Sequence, residues 1–322
     1  MISDENSSPD DRTMNYGKEN VSVYRTYATP LKGVRTIPES SFNGRKNILF
    51  GADIRMQVEG EAFLPSFTEG DNSMVVATDS MKNFIYHHMG EYDGATLEGL
   101  IEYIGSEILE TYSQMEAVTM SADQLTFDEK AIPNDGEFVP SDVVFGVSDG
   151  PSGYAELRVD ETEDGTTITE HTSGVTGIEL VKVKDNSFTG YVQDEYTTLP
   201  ERENRTLYVG LDIFWTYEDD SAALGSKPKE YVPAEQVADI AQVVFDDMDV
   251  NSIQELIYQI GLRILKRFPQ LTSVRFEANN RTWIGVRDDD LAGDGKVLRE
   301  PPAPTGFQQF SMDRGDLERS EE

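Results

Sequence analysis

Residues 96–120 and 252–276 are one segment written twice. Shifted by 156 positions they superpose without a gap, and Leu100/Leu256, Ile101/Ile257, Ile104/Ile260, Gly105/Gly261, Ile108/Ile264, Leu109/Leu265, Gln114/Gln270 and Val118/Val274 are identical. The same shift lays Met81, Phe84, Ile85 and His88 on Val237, Ile240, Ala241 and Val244. A chain built this way folds as two copies of one unit. Four segments carry helical period: Asp79–Met89, Thr96–Tyr112, Ala234–Met248 and Ser252–Phe268. Ser252 and Glu255 form a capping box that starts the last of them, and Pro269 stops it. Strands are expected at Val21–Tyr27, Ile48–Val58, Met74–Ala77, Ala117–Leu125, Ala155–Asp160, Ile178–Lys184 and Ser187–Val192. The clearest is Leu207–Tyr217, where Leu207, Val209, Leu211, Ile213, Trp215 and Tyr217 alternate. Each half then reads strand–strand–helix–helix–strand–strand. Helices on one face of an antiparallel sheet make an α+β fold.

The expected organisation is a solvated acidic tail at 1–15, a first half at 16–150, a second half at 151–310 and a second solvated tail at 311–322. With 322 residues and 38% hydrophobic content the chain can bury a sizeable core. Sixty acidic against 27 basic residues give a net charge of −33, which argues against nucleic acid or an anionic membrane as partner. No apolar run reaches 18 residues, so no membrane span is expected. There is no cysteine, and the histidines are His87, His88 and His171. Disulfides, thiolate nucleophiles and Cys/His zinc sites are thereby excluded, and no metal site is expected. The acids are spread along the whole chain, and lysines number 11 against 16 arginines. That distribution reads as a surface for multimolar salt, where self-repulsion is screened, rather than as a dock for a basic partner. The N-terminus is polar and acidic, unlike a signal peptide, and the chain ends Arg–Ser–Glu–Glu without a peroxisomal tripeptide. A prokaryotic, salt-rich cytoplasm is the expected setting.

Polar residues stand at two helix starts: Thr78–Asp79 and, in the first turn after Ser252, Gln254. Helix N-termini present free N–H groups and positive potential, which suit anionic, carbonyl-rich ligands. Taken alone, Asp79 reads equally as an N-cap and Gln254 as an exposed first-turn residue. Under the 156-residue shift Thr78–Asp79 fall on Ala234–Glu235 and Gln254 on Glu98, so the halves have diverged at these ends.

Several ordered motifs resemble one family. GDNSMVVATDSMKNFIY (70–86) resembles the urate oxidase (uricase) signature around its catalytic threonine. Lys182, Asn186–Ser187–Phe188, Tyr191, Tyr196, Leu199 and Arg205 resemble the stretch that holds urate. YGKENV (16–21), SIQELIY (252–258) and FEANNRTW (276–283) match further blocks in order. YRTYATPLKGVRTIPES (24–40) is similar to bacterial-type members. The resemblance spans about Tyr16 to Met312 and implies the tunnelling fold (T-fold). In that fold the two duplicated halves of each subunit pair with a neighbour into a barrel, and two barrels stack as a homotetramer. It also implies a cofactor-free reaction in purine degradation: urate, dioxygen and water give 5-hydroxyisourate and hydrogen peroxide.

The roles implied by the resemblance are these. Lys18 and Thr78 form a proton relay, Thr78 also contacting dioxygen or the attacking water. Asp79 binds urate through its backbone N–H, and Phe188 stacks on the purine. Arg205 and Gln254 grip opposite edges of the ring, Ile253 adds a backbone contact, and Asn280 holds dioxygen and water above it. One position departs from the family pattern. Many uricases carry a histidine two residues after the asparagine; here it is Thr282, whose hydroxyl could hold the water or Lys18 but cannot titrate near neutral pH. Two other readings stay open at this point. One is a catalytically silent urate- or purine-binding protein of the same fold. The other is a pterin-metabolising T-fold enzyme, some of which need Cys/His zinc ligands that this chain lacks.

Overall fold

A computed structural model describes residues 13–224, 230–281, 283–287, 295–300 and 305–321. Its elements are β1 (Asn15–Thr26), β2 (Leu49–Glu59), α1 (Leu64–Thr68), α2 (Thr78–Glu91), α3 (Leu97–Thr111), β3 (Ala117–Leu125), β4 (Phe127–Asn134), β5 (Glu137–Val147), β6 (Ser152–Thr162) and β7 (Gly165–Lys182). There follow β8 (Leu207–Tyr217), α4 (Ser221–Leu224), α5 (Ala234–Asp247), α6 (Ile253–Arg267), β9 (Leu271–Arg281), β10 (Ile284–Arg287), β11 (Val297–Arg299), β12 (Gly306–Asp313) and α7 (Arg314–Glu321). They fall into two compact units. The first holds the described residues up to Thr29 with Asn47–Gln124 and Ala155–His171; the second holds Pro30–Lys46, Leu125–Tyr154 and the residues from Thr172 on. The units therefore interleave along the chain rather than parting at residue 150.

In the first unit the strand order is β1-β2-β3-β6, with α2 packed on β1 and α3 on α2. In the second it is β7-β8-β9-β12, with α6 packed on β9, β12 and α5. Each unit thus realises the expected strand–strand–helix–helix–strand–strand plan of an α+β fold. The helix bounds repeat under the shift of 156: α2 becomes α5 and α3 becomes α6, residue for residue. Thr96 and Ser252 cap α3 and α6 identically, accepting from the N–H of Gly99 and Glu255. Gln114 donates to the Met74 carbonyl and Gln270 to the Glu230 carbonyl, again 156 apart. The paired mid-helix glycines mark where helix meets sheet. A Cβ on Gly105 would lie 3.1–3.4 Å from Val118, Met120 and Val159, and one on Gly261 would overlap Met312 and crowd Phe276.

Burial follows the sequence pattern. Ala52, Ile54, Met56 and Val58 alternate inward on β2, and Ile85, Leu100, Ile101, Ile104 and Ile108 are buried on the helices. In the second unit Val209, Leu211, Ile213 and Trp215 of β8 are buried, as are Ile240, Val244, Leu256, Ile260 and Ile264. Each buried valine, leucine, isoleucine or methionine among them contributes about 1.5–3 kcal/mol.

The structure corrects four expectations. Met74–Ala77 is a turn and extended run rather than a strand, held by a bond from the Val76 N–H to the Tyr16 hydroxyl. Ser187–Val192 is not a strand: Phe188 makes a single bridge to Arg202, and Asn186 one to Val250. The hairpin β4–β5 gave no clear period, because most of its residues are exposed on both faces. The expected tail at 311–322 is instead the end of β12 followed by α7. Met312 is buried there, and Arg314 donates to the carbonyls of Leu265 and Phe268 at the end of α6 and of Leu271 at the start of β9. Of the expected tail at 1–15, residues 1–12 lie outside the described residues and Asn15 begins β1. No helix among the described residues is long and apolar enough to cross a membrane.

Candidate active site

The expected site residues fall into two sets, one in each unit. In the first unit, β1 pairs with β2 up to Lys18↔Met56, then bulges before Val21. The bulge holds Asn20 at φ +57°, a conformation that asparagine tolerates better than most residues. Bulges of this kind re-aim a side chain out of the strand. Lys18, half-buried, lines a depression of about 200 Å³ with Tyr16, Gly17, Arg55 and Gln57. Tyr16 anchors the approach to α2. Its ring stands edge-on to Phe63 at 5.0 Å, and its hydroxyl accepts from the Val76 N–H at 2.9 Å. Burial raises the Tyr16 phenol above its ordinary value despite that bond, so it stays neutral.

Helix α2 begins at Thr78, one residue earlier than the period suggested. Its N-cap is Ala77, which offers no side-chain acceptor, so Asp79 is not a cap. The N–H groups of Ser80 and Met81 close back on the Ala77 carbonyl, while those of Thr78 and Asp79 precede the first helical bond. Thr78 is half-buried and Asp79 exposed. The Asp79 carboxylate pairs with Lys82 at 2.5 Å. That bond and charge hold it below the usual carboxylate range, with Lys18 adding to the effect. The Lys18 ammonium is thus within Coulomb reach of the helix start that carries Thr78.

In the second unit, Phe188 and Arg205 form one piece. The Phe188 N–H donates to the Arg202 carbonyl at 2.8 Å, and the Arg205 N–H donates to the Asn186 carbonyl at 2.8 Å. The Arg205 guanidinium lies 5.0 Å from the Phe188 ring centre, and Tyr191 stacks on Phe188 at 4.7 Å and 15°. Burial lowers the Arg205 pKa, although an arginine stays charged at any working pH. Its Nε is buried with no hydrogen-bond partner among the described residues. A buried donor left without a partner is costly, and an anionic acceptor beside it would satisfy it. Phe188 and Arg205 line an open cavity of about 330 Å³ together with Leu199, Trp283, Lys296 and Leu298. That size suits a small planar ligand.

Gln254 is exposed in the first turn of α6, and Ile253 beside it is buried. The Ser252 hydroxyl accepts from the Glu255 N–H at 3.1 Å, and the Glu255 carboxylate reaches back to the Asn251 N–H at 2.9 Å. Asn251 also ties this helix start to the Phe188 segment. Its Oδ1 accepts from Ser187 Oγ, Thr189 N–H and Thr189 Oγ1, and its Nδ2 donates to the Thr189 carbonyl. One amide thus ties the segment that carries Phe188 to the start of the helix that carries Gln254. Asn280 lies near the end of β9, between Val209 of β8 and Gly306 of β12, and its Oδ1 accepts from Gln308 at 3.4 Å. Trp283, three residues on, stacks on Tyr208 and lines the Arg205 cavity. Thr282 lies outside the described residues.

Sequence reasoning assigned no role to Asn251 or Trp283. Asn251 immediately precedes the capping box, and a polar residue at that position was the available signal. Trp283 closes the motif FEANNRTW, in which only Asn280 and Thr282 carry an expected role.

The uricase family model matches residues 14–156 and 171–309. A uricase of Haloferax volcanii is 71% identical over 307 residues, which cover 95% of this chain and 99% of that protein. The uric acid degradation bifunctional protein of Bacillus subtilis is 46% identical across the whole of this chain and 65% of its own length. The crystal structure of a uricase from Bacillus fastidious superposes with a TM-score of 0.93 at 50% identity, covering 97% of each chain. Phe188, Arg205 and their cavity thus sit in a chain that belongs to the uricase family.

Proposed function

We propose that this chain is a urate oxidase of purine degradation, turning urate, dioxygen and water into 5-hydroxyisourate and hydrogen peroxide without a cofactor. The observation that carries this reading is Arg205. Its buried guanidinium edge has no partner among the described residues and lies beside the Phe188 ring in a cavity sized for a planar anion. A planar fork suits the oxygens of urate, and the ring supplies a stacking face.

In this reading Arg205 and Gln254 hold opposite edges of the purine, with Ile253 contributing its backbone. The N–H of Asp79 at the open start of α2 adds a donor to the anion. Lys18 and Thr78 take the second urate proton, leaving an electron-rich dianion that reduces dioxygen directly. Two electrons and two protons pass from urate to dioxygen, which becomes hydrogen peroxide. Water then adds to the oxidised purine to give 5-hydroxyisourate. Asn280 positions the dioxygen and the water. Thr282 is proposed to steer the relay through its hydroxyl in place of the family histidine.

The catalytic set of one subunit and the binding set of another are proposed to complete each site within a homotetramer. The acid excess is proposed to suit that assembly to a salt-rich prokaryotic cytoplasm, with assembly and activity lost below roughly 0.5 M salt as screening weakens. The test follows the urate absorbance band and peroxide together in multimolar salt. Stoichiometric loss of urate and gain of peroxide is expected. Urate binding without turnover would instead support a silent binding protein. Mixed Thr78→Ala and Arg205→Ala chains, refolded together, are expected to regain part of the activity that each lacks alone.

A further inference from the structure

The last turn of α2 carries a cluster that the urate chemistry does not use. Glu91 ends the helix, one turn beyond both His87 and His88. Residues three and four apart share a helix face, so one carboxylate reaches both rings. His87 Nε2 lies 3.4 Å from one Glu91 oxygen and His88 Nδ1 lies 3.5 Å from the other. These separations are long for charge-assisted hydrogen bonds. They match the spacing of two ligand atoms around a tetrahedral zinc, where bonds of about 2.0–2.1 Å put neighbouring ligands about 3.3–3.4 Å apart. One ligand atom from each of the three residues falls within 4.8 Å of the others.

The surroundings favour a cation. The helix C-terminus is the negative end of its dipole. Glu107 acts electrostatically on both His88 and Tyr103. His88 is held in place by Phe84, 4.0 Å from its ring centre, and by Tyr103 edge-on at 5.6 Å. The Tyr103 hydroxyl makes a long contact of 3.3 Å with His88 Nδ1, which a metal on that nitrogen would replace. His87 and Glu91 are exposed enough to adjust. Two imidazoles and one carboxylate select a borderline divalent ion such as zinc, nickel or copper over magnesium or calcium.

We propose that His87, His88 and Glu91 form a divalent transition-metal site at the C-terminal end of α2, with water completing the shell. The site belongs to one helix and does not depend on the urate reading. The test is calorimetric titration of the full chain with zinc chloride, after chelator treatment and dialysis in multimolar salt. One zinc per chain is expected, with X-ray absorption showing two imidazole nitrogens on the metal and with no competition from equimolar magnesium. His87→Ala and Glu91→Gln, both at exposed positions that leave the helix intact, are each expected to weaken zinc at least tenfold. Asp164→Asn, in an exposed turn, is expected to leave it unchanged. The proposal is overturned if the parent chain binds no stoichiometric zinc, or if both His87→Ala and Glu91→Gln bind it as the parent does.

Discussion

The two duplicated halves share their packing and differ at their helix starts, in a complementary way. In the first half the start of α2 is open, with Thr78 half-buried and Asp79 and Ser80 exposed, while the start of α3 is shut, with Glu98 only 2% exposed. In the second half the pattern inverts. Gln236, the counterpart of Ser80, is fully buried and donates to the carbonyls of Arg35 and Phe42, closing the start of α5. The start of α6 is open, with Gln254 exposed where Glu98 is buried. The excursion 30–46 does the closing. It adds a bond from Ser40 to Asp239 and lays Glu39 against Arg263 and Arg267. A duplication thus keeps its helix–sheet contacts while each copy leaves a different helix start uncovered, and the proposed chemistry uses the uncovered one in each.

The largest expected effect tests whether the open start of α2 is the catalytic one. Proton transfer by a positioned group contributes about 10²–10⁴-fold. Lys18→Met is expected to lower kcat by that factor, with affinity for an inert urate analogue changing less than about tenfold. Glu235→Gln, at the closed position equivalent to Asp79, is expected to keep kcat within about twofold of the parent. Equal losses in the two variants would remove the distinction between open and closed starts.

Next in size is the clamp on the closed side. Burial alone would raise the Glu39 carboxyl, but bonds from Arg267 and Arg263 outweigh it and bring it down to about 2 from an ordinary 4.5. A depressed carboxylate stabilises the fold fully above its ordinary value, and that contribution is lost as pH falls from about 4.5 towards 2. At about 1.4 kcal/mol per pKa unit the difference is worth about 3 kcal/mol. Glu39→Gln is expected to cost about that much in chemical denaturation near neutral pH and to flatten the acid limb of the stability curve. An unchanged acid limb would show that Glu39 does not carry the clamp.

On the open side the tie is weaker and its readout differs. Asn251→Ala removes the amide that ties the Phe188 segment to the start of α6. Its hydrogen bonds are partly exposed, so stability is expected to fall by about 1 kcal/mol. Analogue affinity is expected to fall about tenfold, or 1.4 kcal/mol, with kcat nearly kept. A loss of kcat without loss of affinity would assign Asn251 to the chemistry rather than to positioning.

How much of this was legible in the residues depends on where the signal lay. The helices and their 156-residue repeat were readable because buried leucines and isoleucines recur at helical spacing and the glycines pair. Strand β8 was readable because its alternation is unbroken. The segment around Phe188 reads as a strand in sequence, but its apolar residues serve a loop and a cavity rather than a sheet face. The end of the chain looked like a tail because charged residues dominate it. Yet Met312 and Arg314, a buried anchor and a helix cap, suffice to dock it. The closed start of α5 was invisible, because Gln236 finds its partners in a segment some 200 positions away. The candidate residues carried by the family motifs lie in both compact units, Lys18, Thr78 and Asp79 in the first and Phe188, Arg205, Gln254 and Asn280 in the second, as the 156-residue repeat already implies.

The smallest effect, that of Gly105→Ala, is read against its counterpart in the contacts the halves share. Alanine in place of a mid-helix glycine gains about 1 kcal/mol of helix propensity. At Gly105 the new methyl would meet Val118, Met120 and Val159 at 3.1–3.4 Å, a squeeze that roughly cancels the gain. At Gly261 it would fall 2.0 Å from the Met312 sulfur and 3.1 Å from the Phe276 ring. Met312 is buried, so it can move only by displacing its neighbours, and overpacking of this kind costs about 1–3 kcal/mol. Gly261→Ala is therefore expected to lose about 1–2 kcal/mol, and Gly105→Ala to stay within about 0.5 kcal/mol of the parent. A double-mutant cycle separates the causes. Met312→Ala alone is expected to cost about 2–5 kcal/mol, and measurably less in the Gly261→Ala background, where the added methyl fills part of the space it leaves. Strict additivity of the two changes would mean that β12 does not press on α6 at this glycine. The difference between the two halves would then have to lie elsewhere along the helix.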